Sequence, residues 1–355
     1  MRKILVFLIS VFLFLNTSLS AKEAKYYNKL EGNQVQCLLC PRECVLQEGQ
    51  TGTCLVKKNE KGTLVSLVYA KVCSTNIDPI EKKPLFHFLP GSSTFSIATA
   101  GCTLRCVFCQ NWEISQMSPQ DVRSQTLYPE QIVKLAKENN CNSISYTYSE
   151  PTAFYEYMYD TSIIAHKNGI KNVEVTSGYI NPEPLKELCT VLDAASVDLK
   201  GFSDRVYRRV SAAKLSPVLE TLKIMKQKGV WLEVGYLVIP TINDSSEELK
   251  DFAMWVSANL GKEVPVHFLR FFPMHKLTQL PPTPIETLER AYNIAKSAGL
   301  NYVYLGNVPG HRTENTYCPN CKKMLIERKG YFVGKINLNK GRCKFCNYKI
   351  AGVWD

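Results

Sequence analysis

The sequence predicts an α/β protein: a partial, TIM-like (β/α)6 barrel flanked by a small cysteine-rich N-terminal module and a zinc-ribbon-like C-terminal module. Three observations lead there. Between about residues 95 and 305, short runs rich in β-branched and aromatic residues alternate with amphipathic segments that carry helix start and stop signals. The alternation repeats six or seven times, too few for eight-fold closure, so the sheet should stay open with its site at the carboxyl ends of the strands. Eleven of the 14 cysteines gather in three compact groups with metal-ligand separations.

Taken in chain order, residues 1–21 read as a leader. Arg2-Lys3, the largely apolar run Ile4–Leu15 and the small-residue stretch Ser18-Leu19-Ser20-Ala21 have the three regions of a secretory signal peptide, and an N-terminal membrane anchor is the alternative. Residues 35–89 form the cysteine-rich module. The core, 90–312, opens on the apolar strand Phe95–Ala98, and further strands are expected at Ser143–Thr147, Asn172–Thr176, Ala195–Leu199, Trp231–Ile239, Val266–Phe271 and Tyr302–Leu305. Helices lie between them. Ser216-Pro217 opens one that keeps Val218, Leu222 and Met225 on a face and stops at Gly229. The capping box Ser245-x-x-Glu248 precedes Leu249, Phe252, Val256 and Leu260, and Thr283-Pro284-Ile-Glu286 opens a helix that ends near Gly299. Residues 314–355 make the last module.

Composition narrows the class. A chain of 355 residues has room for a large core with attachments, and its net charge of +11 comes from basic residues spread along the chain, so no nucleic-acid-binding surface is expected. Cys73, Cys141 and Cys189 stand outside the three cysteine groups and read as buried thiols.

The most informative group is Cys102-x3-Cys106-x2-Cys109. One tight loop of this spacing presents three thiolates to a cubane [4Fe–4S] cluster and leaves the fourth iron without a protein ligand. A ferredoxin fills all four positions. An open iron instead suits S-adenosylmethionine (SAM), whose amino and carboxylate groups chelate it, so that an electron from the cluster can cleave the sulfonium to a 5′-deoxyadenosyl radical.

The other two groups carry four cysteines each. Cys318-x2-Cys321 and Cys343-x2-Cys346, with 21 residues between the pairs, have zinc-ribbon spacing. Cys37-x2-Cys40-x3-Cys44, joined by Cys54, accepts either structural zinc or a second [4Fe–4S] cluster, because both take four thiolates. Gly49 and Gly52 beside it read as turn residues.

The cluster loop and its surroundings resemble the radical SAM superfamily. From about Ser93 to Lys276 the chain is similar to the activating enzymes of glycyl-radical proteins such as pyruvate formate-lyase. Asp78-Pro-Ile-Glu-Lys-Lys-Pro-Leu-Phe-His-Phe88, Cys109-Gln-Asn111, Pro281-Pro-Thr-Pro-Ile-Glu286, Gly306-Asn-Val-Pro-Gly310 and the C-terminal ribbon resemble the radical SAM member of the AmmeMemoRadiSam system. That resemblance implies Memo-like and AMMECR-like partner proteins and a low-potential electron donor. It also implies roles for single residues. Cys102, Cys106 and Cys109 match the cluster ligands, and Phe108 matches an aromatic residue near the adenine. Tyr148-Ser149-Glu150 stands where the superfamily has Gly-Gly-Glu, so Glu150 would take the methionine ammonium while the close backbone approach of two glycines is lost. Thr176-Ser177-Gly178 matches a SAM-contacting turn, Asp198-Leu-Lys200 a motif that holds the carboxylate or ribose, and His275 a histidine near the ribose. Val175 and Gly235 depart from the activases, which carry an aspartate and an arginine there.

The leading expectation is therefore a radical SAM enzyme that abstracts hydrogen from a peptide, protein or small molecule, with a glycyl-radical activase as the nearest variant. The competing class is a non-catalytic exported metal-binding or redox scaffold, which would carry zinc or disulfides without a SAM-responsive cluster. Localisation divides the same way, since the leader points to a membrane or export and the chemistry to the cytoplasm.

Overall fold

The computed structural model describes residues 21–355, so the leader reading lies outside the described residues. Among those described, no helix is long and apolar enough to cross a membrane. Eight strands form the main sheet: β1 (Ser74–Pro79), β2 (Ser93–Ala98), β3 (Ser143–Tyr146), β4 (Lys171–Thr176), β5 (Ala194–Leu199), β6 (Trp231–Val238), β7 (Val266–Arg270) and β8 (Val303–Gly306). They lie side by side in chain order. β2 to β8 are all parallel, and β1 returns antiparallel along β2 with Asp78 opposite Thr94. Since β1 and β8 are the two ends of that order, the sheet is an open partial barrel of six strand–helix repeats and a final strand.

The connecting helices are α1 (Pro129–Glu138), α2 (Tyr155–Lys167), α3 (Pro182–Leu188), α4 (Asp204–Ser211), α5 (Ser216–Gln227), α6 (Ser246–Asn259) and α7 (Ile285–Ser297). Their ends follow the punctuation in the sequence. The Ser245 hydroxyl accepts from the Glu248 amide at 3.2 Å, and α6 then buries Leu249, Phe252, Ala253 and Val256. Pro217 sits in the first turn of α5, which buries Val218, Leu222 and Met225.

Register decides which residues face the barrel interior. Asp198, Gly235, His267 and Tyr304 stand in one row across β5 to β8, and Ser196 pairs with Glu233 beneath it. A carboxylate this deep needs partners. Glu233 accepts the amides of Phe86 and His87 at 3.0 and 2.7 Å and the Trp231 indole N–H at 3.1 Å, with His267 Nε2 2.7 Å away. The segment Pro84–Phe88 thus plugs the amino end of the barrel. Arg328 of the C-terminal module braces the plug by donating to the Phe86 carbonyl at 2.6 Å. Burial draws the His87 pKa down to about 4, so the ring is neutral: Nδ1–H donates to the Ala351 carbonyl at 2.7 Å and Nε2 accepts from the Tyr304 hydroxyl at 2.6 Å. Residues 74–89, which the sequence groups with the cysteine-rich module, therefore contribute an edge strand and a plug to the core. They cover the flank of β2 and satisfy a buried carboxylate.

The N-terminal module is two small antiparallel sheets, one of Tyr27–Lys29, Val35–Cys37 and Val45–Leu46, the other of Lys22–Glu23, Thr63–Ser66 and Lys57–Glu60. A buried ion pair between Lys57 and Glu156 of α2 ties it to the barrel. Replacing Lys57 with methionine is expected to lower the unfolding free energy by about 3–5 kcal/mol, because it strands a buried carboxylate. The double change Lys57→Met/Glu156→Leu should recover most of that in urea unfolding. A single-variant loss no larger than that of a surface substitution would show that the pair contributes little.

Candidate active site at the carboxyl end of the sheet

β2 leads straight into the three-cysteine loop. Gly101 has φ +97°, and a Cβ there would lie 2.7 Å from the Cys54 carbonyl and 2.5 Å from Val56 Cγ1, so only glycine lets the loop start against the N-terminal module. Backbone bonds then fasten it. The Arg105 and Val107 amides donate to Ser211 and Val210 at the end of α4, at 3.0 and 2.9 Å, and the Lys276 amide donates to the Val107 carbonyl at 2.8 Å.

The three sulfurs face polar groups. The Leu104 amide donates to Cys102 Sγ at 3.3 Å, Cys106 Sγ lies 3.5 Å from Ser211 Oγ, and Cys109 Sγ lies 3.1 Å from Ser115 Oγ. Burial pushes the Cys102 thiol well up, and the Glu150 carboxylate and the other two cysteines add to it. Burial also raises Cys106, with Lys200 acting in the opposite direction. The positive iron–sulfur core of a cluster would offset the cost of ionising Cys102 and Cys106 here.

Glu150 follows β3 and is 3 % exposed. Its carboxylate accepts from Thr176 Oγ1 at 2.6 Å, the Ser177 amide at 2.9 Å and Ser177 Oγ at 2.6 Å, which joins the carboxyl ends of β3 and β4. Gly178 completes this turn at φ +69°, where a Cβ would meet Val197 Cγ1 at 2.9 Å. Tyr148, where the superfamily pattern has its first glycine, nonetheless adopts φ +64°. A left-handed tyrosine costs about 1–3 kcal/mol. Here its hydroxyl donates to Asp78, Lys83 Nζ sits 4.4 Å from the ring centroid, and Asn111 Nδ2 donates to its carbonyl at 2.8 Å. Side-chain anchors thus hold a backbone conformation that glycine would adopt without strain.

Across the site, Asp198 Oδ2 lies 3.6 Å from Lys200 Nζ, while Asp198 Oδ1 is buried with no partner. Burial alone would depress Lys200, but Asp198, the Cys106 and Cys109 thiols and Glu150 hold it above its ordinary value. Gly235 is the register partner of Asp198, and a Cβ there would stand 2.3 Å from Asp198 Oδ1. No larger side chain fits unless the carboxylate moves. Phe108 is 5 % exposed and packs within the main hydrophobic core. His275, at φ +54°, stacks on Trp112 with centroids 5.2 Å apart. Nothing in the sequence marks Ser115 or Ser211 as site residues, since each is a lone serine outside any motif. Glu233 and His267 were detectable, as polar residues inside otherwise apolar strands.

All 14 cysteines are free thiols. Cys141 and Cys189 are buried as expected, whereas Cys73 is partly exposed, its thiol 3.5 Å from the Ala98 carbonyl. In the C-terminal module Cys318, Cys321, Cys343 and Cys346 bring their sulfurs within 4.8 Å of one another. The pairs Cys318–Cys346 and Cys321–Cys343 stand at 3.6 and 3.7 Å. Burial pushes Cys318 up to about 12, while the Tyr348 amide and the Asn320 side chain draw Cys346 down to about 6. Four thiols at that spacing fit a single tetrahedral ion.

Residues 96–253, from β2 through most of α6, match the Radical SAM superfamily model. The chain belongs to the radical SAM superfamily, and membership implies a [4Fe–4S] cluster and SAM. It is 52% identical over 331 residues to an uncharacterized protein of Methanocaldococcus jannaschii, covering 93% of this chain and 98% of that one. It is 24% identical over 220 residues to the pyruvate formate-lyase 1-activating enzyme of Escherichia coli, covering 56% of this chain and 87% of that enzyme. A radical SAM methyltransferase structure from Sphaerobacter thermophilus aligns with 61% of this chain and 67% of its own at 17% identity and a TM-score of 0.49.

Proposed function

We propose that this enzyme reductively cleaves SAM and uses the resulting radical to abstract hydrogen from an organic substrate, whether peptide, protein or small molecule. The observation that carries the reading is a three-thiol loop at the carboxyl end of a parallel sheet, with Glu150 on one side and Lys200 with a half-unpartnered Asp198 on the other. Cys102, Cys106 and Cys109 would hold a [4Fe–4S] cluster, which when bound would supply the one electron needed to break SAM into methionine and a 5′-deoxyadenosyl radical.

The chain's own residues do the positioning. Glu150, a buried carboxylate fixed by the Thr152 and Ser177 amides and the Thr176 and Ser177 hydroxyls, offers its negative charge to the methionine ammonium, with either hydroxyl free to turn away and yield its place. Lys200 offers a cation for the carboxylate, and the free Asp198 oxygen an acceptor for a ribose hydroxyl. Ser177, Gly178 and His275 line the same end of the barrel. The plug at the other end keeps water from the interior. Gly235 leaves no room for the arginine of the activases, so we read the glycyl-radical activity as a relative's chemistry rather than this chain's. The electron comes from a low-potential one-electron donor, and Memo-like and AMMECR-like proteins are the partners to test first. Reduced protein incubated anaerobically with SAM should release 5′-deoxyadenosine and methionine, and a protein whose cluster is fully loaded but releases neither would end this reading.

For the C-terminal quartet we propose structural zinc. Replacing Cys318 and Cys321 with serine should release one zinc per chain and destabilise the module while the iron content stays unchanged, because the ion supplies folding energy. Elemental analysis with parallel iron assay checks it, and retention of the zinc would remove the assignment.

A further inference from the structure

The N-terminal quartet differs from the C-terminal one in geometry. Its four residues converge: the Cys37 amide donates to the Cys44 carbonyl at 3.0 Å, the Glu43 amide to Cys40 at 3.1 Å, and the position a Gly52 Cβ would occupy lies 3.7 Å from Cys44 Sγ and 3.8 Å from Cys54 Sγ. Cys44 Sγ lies 3.6 Å from Thr53 Oγ1. Yet among the described residues the C-terminal set is the only group of three or more such ligand atoms within 4.8 Å of one another.

That difference separates the two metals which four thiolates can hold. Around one zinc, with bonds of about 2.3 Å, tetrahedral sulfurs stand about 3.8 Å apart, and the C-terminal pairs at 3.6 and 3.7 Å do so. In a cubane each thiolate binds a different iron at a different corner, so its sulfurs stand farther apart. Neither among the N-terminal four nor in the Cys102, Cys106 and Cys109 loop do three sulfurs all stand within 4.8 Å of one another, a closeness that a single zinc requires and a cubane does not. Their module also lies against the cluster loop. The Cys54 carbonyl touches the space beside Gly101, and Arg42 donates from Nε to the Thr103 carbonyl and from Nη2 to the Ala212 carbonyl at 2.8 Å.

We infer that Cys37, Cys40, Cys44 and Cys54 hold a second [4Fe–4S] cluster, seated directly behind the SAM-binding loop. The site shares no ligand with that loop, so the two assignments fail separately. The decisive protein is the triple variant Cys102→Ala/Cys106→Ala/Cys109→Ala, full length and reconstituted anaerobically, which leaves the N-terminal module untouched. It should keep about four irons and four sulfides, against about eight of each in the wild type. Its reduced EPR signal should not change on adding SAM. Cys37→Ser/Cys40→Ser should also fall to about four irons, and its remaining signal should respond to SAM. A triple variant with no iron and two zincs per chain would overturn the inference. A triple variant with four irons beside a wild type that also holds only four would sustain it, and the failure would fall on the SAM-cleaving loop instead.

Discussion

Cys106→Ala is expected to abolish SAM cleavage while leaving the fold intact. Two thiolates cannot hold a cubane with one open iron, so the loop loses its cluster. The backbone should not notice. Arg105 and Val107 stay bonded to Ser211 and Val210 through main-chain atoms, and the alanine removes one sulfur from a site 8 % exposed. Circular dichroism and urea unfolding should match the wild type, and no 5′-deoxyadenosine should form above background. Equal cleavage by variant and wild type under strict anaerobiosis would remove the assignment of this loop.

Glu150→Ala should weaken SAM binding by about 1.5–3 kcal/mol, the scale for losing a charged hydrogen-bond partner, or about 10- to 150-fold in Kd. Cluster assembly should survive, because Glu150 is not a ligand. The variant also strands the Ser177 amide and the Thr176 hydroxyl, so some loss of stability is expected beside the binding effect. Glu150→Gln keeps the side-chain volume and removes the charge that an ammonium needs, at the cost of one amide contact, because its NH2 faces either the Thr152 or the Ser177 N–H; urea unfolding of both variants separates that cost from the binding effect. If both variants bind SAM as the wild type does, the carboxylate only joins β3 to β4.

Local chemistry was legible along the chain. The three-cysteine loop, the zinc-spaced quartet, the Ser245 cap and the strand runs all depend on neighbours within a few residues, where spacing and residue type are enough to specify geometry. β1 was not legible. Ser74-Thr-Asn-Ile-Asp-Pro79 is a polar edge strand that pairs on one side only, so it lacks the apolar run by which buried strands announce themselves. The Gly-Gly-Glu position misled in another way. Tyr148 reads as a departure that loses the close backbone approach of glycine, yet anchors from Asp78, Lys83 and Asn111, drawn from two distant segments, hold it in the left-handed conformation that glycine favours.

What the sequence determined by itself was therefore the order of strands and helices, the three groups of thiols and the class of chemistry that an incomplete ligand set allows. Tertiary structure alone decided that residues 80–89 close the amino end of the barrel, that Gly235 makes room for Asp198, and that of the two quartets only the C-terminal one brings its four sulfurs within 4.8 Å of one another. The physical reason is common to all three. A spacing such as C-x2-C fixes which side chains can meet, but the distance at which they stop is set by the packing of segments far apart in the chain, here the contact of Val56 and Cys54 with Gly101 and the reach of Arg42 to Thr103 and Ala212.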